Sequence, residues 1–515
     1  MSMYRRKLNM MEEAELVVEE WEFLRENDSD RRFLLGKKVE HVDEDHHENA
    51  FGYVAMVLRR PNKIPILDVG SSLQQTTDSD PTDVNHLVFG IASTGKSWAD
   101  RKKYVKLWWN KIIKGCVFVD NLPPEQNDSD DSVPPLCVSE DTSKFLYTCK
   151  GGLRSAIRVA RIVKEIVGLN NHSNVRWYVF GDDDTVFFPE NLVKTLSKYD
   201  HRLWYYVGAY SENYEGSYVF GFGMAFGGGG FAISASLANV LYEVFDSCIE
   251  RYSHLYGSDA RIYEVFDSCI ERYSHLYGSD ARVFSCISEL GVGLTYEPGF
   301  HQVDLSGNIF GLLASHPLSL LLSLHHLDLV EPIFPQMTTS KSLQHLFEAA
   351  NVDSLRILQQ TVCYDKQFSR TISVSWGYAV QIFQYNELLP NILRVRETFR
   401  PWRENLPFAG VYTFSTTKIQ KDSCERPTIF YLDNVSSGKD GIVSNYTKSF
   451  RNCSKDNTSL KNLEVIKVVT KKLDLNTKQV QTLRRQCCDV LHSNSSQLME
   501  IAIRECRYEE LIYMH

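Results

Sequence analysis

A chain of 515 residues with 43% hydrophobic and 12% aromatic content can bury one large core or roughly two to three smaller ones, which excludes a disordered or fibrous polypeptide. Its formal net charge of −9 and pI near 6.0 argue against a generic nucleic-acid binder, which needs a basic face. No stretch offers about 18 uninterrupted apolar residues, so no transmembrane helix is read, and in "MSMYRRKLNMMEEAEL" acids stand where a signal peptide needs its apolar core.

Residues 1–86 read as a peripheral tail, partly disordered and without a visible anchor. Within it "EEAELVVEEWEFLREN" has amphipathic helical spacing, and "SSLQQTTDSDPTDVN" is a polar linker. The first firm strand is "HLVFGIAS", followed by the helical spacing of "WADRKKYVKLWWNKII" and a second strand, "GCVFVD". A loop, "NLPPEQNDSDDSVPP", precedes the helix "GGLRSAIRVARIVKEIV". Strands alternating with helices predict an α/β sheet that binds ligands at its strand carboxyl ends.

At such an end stands "WYVFGDDDTVFFPENL", Trp177 to Leu192, in which three carboxylates sit between two strand-like apolar runs. Adjacent negative charges repel, and burying them without a partner is costly. A cluster so placed suggests a bound cation. In an extended segment Asp182 and Asp184 point to one side while Asp183 points to the other.

Two nucleotide readings compete. Gly90 to Ser97, "GIASTGKS", satisfies the phosphate-loop pattern, with Lys96 reaching phosphates and Ser97 meeting a metal. The plainer reading makes Lys96 a solvated residue at the start of a basic helix. The rival starts from Asp182-Asp183-Asp184 as a D-x-D element of the GT-A glycosyltransferases, whose outer carboxylates hold Mn²⁺ or Mg²⁺ against the diphosphate of a nucleotide sugar.

Further along, "YEVFDSCIERYSHLYGSDAR" occurs at 242–261 and again, letter for letter, at 263–282. Repeat architectures need several copies and tolerate drift, so two identical copies point to a recent duplication or an error in the coding sequence. The stretch after 420 holds Cys424, Cys453, Cys487, Cys488 and Cys506 without metal-site spacing, so disulfides are expected there. Sequons at Asn27, Asn127, Asn171, Asn434, Asn445, Asn452, Asn457 and Asn494 crowd toward the same end and hint at a secretory lumen.

From "HLVFGIAS" onward, about residues 86–515, the chain resembles the plant Fringe-related proteins, which are similar to glycosyltransferase family 31. The resemblance rests on "VKLWW", "WYVFGDDDTVFFPENLVKTLSKYD", "WYYVGAYSE", "MAFGGGGFAIS", "YGSDAR", "ELGVGLTYEPGFHQVD", "HPLSLLLSLHHLDLVEPIFP", "CERPTIFYLDNVSS" and "RRQCCDVL", in that order. It implies an α/β fold of GT-A type with a Rossmann-like mixed sheet: a catalytic domain at 87–415 and a Cys-containing, sequon-rich appendage at 416–515. It further implies a UDP-sugar donor, Mn²⁺ or Mg²⁺ as cofactor, a glycan or glycoprotein acceptor, inversion at the anomeric carbon and a β1,3 linkage. Nucleic acid is not an implied partner. The implied location is the lumen of the Golgi, with membrane attachment only if an N-terminal anchor is missing from this chain.

By the same resemblance Asp182 and Asp184 are metal ligands, Asp184 foremost, and Asp183 orients the ribose or the metal's waters. Gly228 and Gly229, within Gly227 to Gly230, form the glycine turn beside the donor. The general base falls in "GSDAR", at Asp280 or Asp259, with Asp280 preferred because "VFSCISELG" and "EPGFHQ" follow it directly. The family motif reads Asp-Asp there, whereas this chain reads Asp-Ala. A base at the second position is therefore absent, which keeps open a catalytically impaired glycan-binding relative of the same fold. In "LHHLD", next to His325, His326 is the histidine expected to complete the metal shell; His301 is a weaker candidate. Trp204 and Tyr205 are candidates for stacking on a sugar.

Overall fold

The computed structural model describes residues 81–515 apart from 124–129, 146–153, 170–171, 254–277, 405–407, 440, 451–459, 492–494 and 514–515. The N-terminal helix, Asp259, Cys453 and the sequons at Asn27, Asn127, Asn171, Asn452, Asn457 and Asn494 thus lie outside the described residues. No described helix is long and apolar enough to cross a membrane.

In chain order the first strands are β1 (Leu87–Ala92), β2 (Lys114–Val119), β3 (Leu136–Val138), β4 (Trp177–Asp182), β5 (Val186–Phe187), β6 (Tyr206–Gly208), β7 (Phe231–Ser234) and β8 (Leu294–Tyr296). All but β5 form one seven-stranded sheet in the order β3-β2-β1-β4-β7-β6-β8. It is mixed, with β1 parallel to β2 and β4, and β7 antiparallel to β4 and β6. The helices among these strands are α1 (Trp98–Val105), α2 (Ser155–Gly168), α3 (Pro189–Leu196), α4 (Tyr214–Phe220), α5 (Ala235–Ser253) and α6 (Ser279–Glu289). Every residue of β1 is buried, as an apolar run must be when both faces of its sheet are covered. Leu87, Phe89 and Ile91 join a core with Trp108 and Phe187, while Val88 and Ala92 join a second with α2, α5 and α6. In α2, Ile157, Ala160, Val163 and Ile166 recur every three residues and are all buried, which seats one face of the helix on the sheet.

The duplicated segment is used in an economical way. α5 takes Tyr242 to Ser253 from the first copy, and α6 opens with Ser279 to Arg282 from the second. A disulfide between Cys248 and Cys286 joins the two helices. The two ends of a single repeat unit are therefore supplied once, by two different copies.

A second sheet of eight strands runs in the order Gln360–Asp365, Arg370–Ser375, Ala379–Phe383, Thr428–Gly438, Gly441–Lys448, Val465–Thr470, Leu498–Arg504, Cys487–Leu491. It curls until its two edges nearly meet, and the Cys363–Cys488 disulfide ties edge to edge. Arg485 adds a 3.1 Å hydrogen bond from Nη1 to the Gln360 carbonyl. Closing a loop with a sequence separation of 125 contributes about 4–5 kcal/mol in the chain-entropy picture. Further disulfides link Cys116 to Cys137 and Cys487 to Cys506. Three strands of this sheet precede residue 415 and five follow it, so the expected appendage at 416–515 shares a sheet with the preceding residues. Residues 80–515 form one compact unit.

Three short elements complete the frame of the site: β9 (Phe300–His301), β10 (Leu305–Gly307) and β11 (Ser323–Leu324). β11 lies between β5 and β9, antiparallel to the first and parallel to the second.

Candidate metal centre

The site begins where β4 runs out. The Asp182 N–H donates to Thr185 Oγ1 at 2.8 Å, and Thr185 N–H donates back to the Asp182 carbonyl at 3.0 Å, closing a tight turn over the aspartates. The alternation read from the sequence holds in this turn. Asp183 faces α1, where its Oδ2 accepts from Ser93 Oγ at 2.7 Å and Ser97 Oγ at 2.8 Å while its Oδ1 accepts from Arg101 at 3.0 Å. Asp182 and Asp184 face the other way and meet a histidine.

That histidine is His325 and not the expected His326, its neighbour. One ligand atom each from Asp182, Asp184 and His325 lies within 4.8 Å of the others. His325 Nε2 is 3.1 Å from Asp184 Oδ1 and 3.7 Å from Asp182 Oδ2. The register explains the choice: Leu324 of β11 pairs with Val186 of β5, which delivers the next residue to the aspartate turn. His326 adopts a left-handed φ of 53° and turns off toward Asp304, at 3.2 Å from Oδ1. Its ring packs between His325, at 3.8 Å, and Trp402, at 4.2 Å. It buttresses the candidate ligand.

Asp184 Oδ1 is buried and faces His325 Nε2 at 3.1 Å without an aligned hydrogen bond. Burial pushes the Asp184 carboxyl up, but His325 and Arg101 outweigh it and hold the group at about 2. Asp182 opens onto a cleft yet lies deep in the protein. Burial, with the charges of Asp184 and Asp280, raises it to about 7 against the pull of His325. A buried carboxylate oxygen with a second carboxylate and an imidazole at ligand distance is a donor set that suits a divalent cation.

The glycine turn packs against this group. A β-carbon at Gly228 would overlap the His325 ring, and one at Gly227 would overlap the Asp280 carboxylate. Gly229 donates its N–H to Gln302 Oε1, and the Gly228 carbonyl accepts from Thr185 Oγ1 at 2.7 Å. Gly230, at φ +88°, makes the reversal that only glycine adopts readily.

Asp280 stands in the first turn of α6, bonded by Ser279 Oγ at 3.1 Å and by the Gly227 N–H. Burial raises its carboxyl above the ordinary range. It lines a cleft of about 30 Å³ together with Gly90, Gly181, Asp182 and Gly227. Its neighbour Ala281 is buried among Met224 and Phe226.

Other sequence candidates go elsewhere. His301 is a core histidine, bonded through Nδ1 to Glu212 at 2.9 Å and through Nε2 to His316 at 3.0 Å. In the phosphate-loop match, the Gly95 N–H is taken by Asp120 at 2.8 Å, Ser97 is turned to Asp183, and Lys96 is exposed. Tyr205 packs on Trp177 and Tyr199, and the Tyr205 N–H bonds Ser234, at the opposite end of the sheet from Asp182. Trp204, next to it, shares that distance from the aspartates. Two participants escaped sequence reasoning. Arg101 lies one helical turn after Ser97, on the helix that follows β1, a spacing that could have marked it. Asp304 joins Ser211 Oγ, at 2.6 Å, to His326, and no local pattern marks it.

The family model described as "Protein of unknown function, DUF604" matches residues 216–265 and 262–488, together more than half of the 515. The chain belongs to the DUF604 family. The two matched segments of the DUF604 model overlap at 262–265, at the junction of the duplicated copies, in keeping with a single unit interrupted by an extra one. No curated protein matches the chain.

Proposed function

We propose that this DUF604 protein is a Fringe-related, family 31-like glycosyltransferase of GT-A type, moving a sugar from a UDP-sugar to a hydroxyl of a glycan or glycoprotein with inversion. The observation that carries the reading is the Asp182–Asp184–His325 cluster at a strand carboxyl end, walled by the glycine turn and Asp280. Asp182, Asp184 and His325 would hold Mn²⁺ or Mg²⁺, which when bound neutralises charge on the departing diphosphate. Asp280 takes the proton of the acceptor hydroxyl as its oxygen bonds to the anomeric carbon and the bond from that carbon to UDP breaks from the opposite face. A carboxyl raised by burial suits that work near neutral pH, and Ser279 with the Gly227 N–H fixes its orientation. Arg101, between Asp183 and Asp184, holds the aspartate turn to α1.

The disulfides, and the exposed sequon asparagine Asn434 on the second sheet, support an oxidising, glycosylating compartment, and we place the protein in the Golgi lumen. A second reading, a glycan-binding relative without turnover, draws on Ala281, which packs in an apolar cluster where the family carries a second aspartate.

Isothermal titration of the full chain tests the proposal. UDP binding that requires Mn²⁺ and is lost in Asp184→Ala supports it; UDP binding indifferent to both the cation and the substitution sinks it. Transfer from UDP-sugars in the wild type, lost in Asp280→Asn, separates the transferase from the glycan-binding relative.

A further inference from the structure

Aromatic side chains gather on the surface at the site end of the first sheet. Tyr210, just beyond β6, stacks on Tyr296 of β8 with centroids 4.5 Å apart and planes 11° from parallel. Phe222 meets Tyr210 edge-on at 5.2 Å and touches Tyr214 at 5.9 Å. Tyr214 stacks on Tyr218 at 5.8 Å, and Phe408 packs edge-on against both, at 5.7 and 5.5 Å. Six rings thus form one contiguous set, yet Tyr218 is 59% exposed, Tyr296 46%, Phe222 45% and Phe408 41%. Single exposed apolar residues are ordinary, but a connected group of them marks a binding surface.

Three features specify the occupant. The set is continuous with the candidate site, because Tyr210 packs on the cluster of Met224, Phe226 and Ala281, whose chain neighbours are Gly227 and Asp280. Four of the six rings carry phenol hydroxyls, so flat apolar faces alternate with hydrogen-bonding edges. Glu215, between Tyr214 and Tyr218 on α4, keeps a buried Oε2 with no hydrogen-bond partner, an acceptor waiting for a donor. A pyranose fits that combination. Its C–H faces carry partial positive charge and lie against aromatic faces, while its rim of hydroxyls donates to carboxylates and phenols.

We infer that these six rings are the acceptor subsite, and that the acceptor is an oligosaccharide whose successive pyranose faces rest on them. The inference rests on the transferase reading above for the word acceptor, and on the rings themselves for the sugar.

Saturation-transfer NMR and titration calorimetry on the full chain, without nucleotide, test it with lactose, cellobiose and N-acetyllactosamine as probes. At least one probe binds the wild type. Tyr218→Ala and Phe408→Ala each weaken it by about 5- to 10-fold, whereas Tyr218→Phe and Phe408→Tyr retain it. The same alanine variants keep Mn²⁺-dependent UDP binding and the melting temperature of the wild type, which excludes a folding defect. The inference is overturned if no probe binds at millimolar concentration, or if the alanine variants bind as the wild type does. It is equally overturned if Phe408→Ala abolishes a self-association seen by sedimentation while no sugar binds, since the rings then seat a second copy. Loss of the UDP arm in the wild type sinks the transferase reading and leaves the sugar measurement to decide the subsite.

Discussion

Gly228 and His325 share a space that admits no further atom: a β-carbon on the glycine would lie 2.1 Å from Cε1 of the imidazole. His325 is buried and cannot retreat, because the His326 ring packs against it at 3.8 Å. Gly228→Ala therefore displaces the histidine from Asp182 and Asp184. The expected result is a loss of Mn²⁺-dependent UDP affinity of at least about 10-fold with about 1–3 kcal/mol of destabilisation from overpacking, read by calorimetry and urea unfolding. Wild-type affinity in that variant would show that His325 is no ligand.

The two adjacent histidines separate cleanly by substitution. His325→Ala removes an imidazole from the cluster and abolishes Mn²⁺ binding followed by electron paramagnetic resonance. His326→Phe keeps a ring between His325 and Trp402 but drops the Asp304 contact, so the affinity falls by about 10-fold or less. The reverse order of effects would restore His326 as the ligand.

Removing one copy of the duplicated unit, residues 262–282, leaves the sequence of one complete repeat between Leu241 and Val283. Since α5 and α6 each use an end of one unit, the shortened chain keeps the Cys248–Cys286 pairing and unfolds within about 1 kcal/mol of the full chain. Non-reducing peptide mapping and urea melts check this. A scrambled or missing bond would mean that the extra residues have a structural role.

Closure of the eight-stranded sheet depends on a covalent tie between its edges. Cys363→Ser together with Cys488→Ser is expected to cost up to about 4–5 kcal/mol in urea unfolding. Hydrogen exchange should speed up first in Gln360–Asp365 and Cys487–Leu491. Unchanged protection of these two strands would mean that side-chain packing alone holds the seam.

His316 is buried against His301, with Glu212 on the far side of His301 and Arg485 near, and burial followed by the His301 charge keeps its pKa well below 6.5. The unfolded chain binds a proton at this residue below pH 6.5 while the folded chain does not. Its contribution is thus fully present above pH 6.5 and is lost as the pH falls below it, by up to about 1.4 kcal/mol per pH unit. His316→Asn should flatten the stability curve between roughly pH 6.5 and 5. An equal slope in wild type and variant would assign the acid sensitivity elsewhere.

Local pattern determined a good deal of this protein. The apolar run of Trp177 to Phe180, the three-residue recurrence of Ile157 to Ile166 and the alternation across Asp182, Asp183 and Asp184 each depend on neighbours in the chain. Backbone periodicity fixes where such side chains point before any tertiary contact forms. The glycine turn was equally legible, since a run of four glycines has few uses other than close approach.

Only the tertiary structure brought His325, rather than His326, beside Asp182 and Asp184, because that placement depends on the register of β11 against β5 and on a left-handed backbone at His326. It brought Asp280 beside Gly227, and it recruited Arg101 to Asp183 across 82 residues and Asp304 to Ser211 across 93, contacts that no local pattern marks. It also put the exposed rings at the carboxyl end of the sheet and Tyr205 at the other. Pairing across a sheet is set by packing between distant segments, and a one-residue change of register reassigns every partner while leaving the local pattern intact.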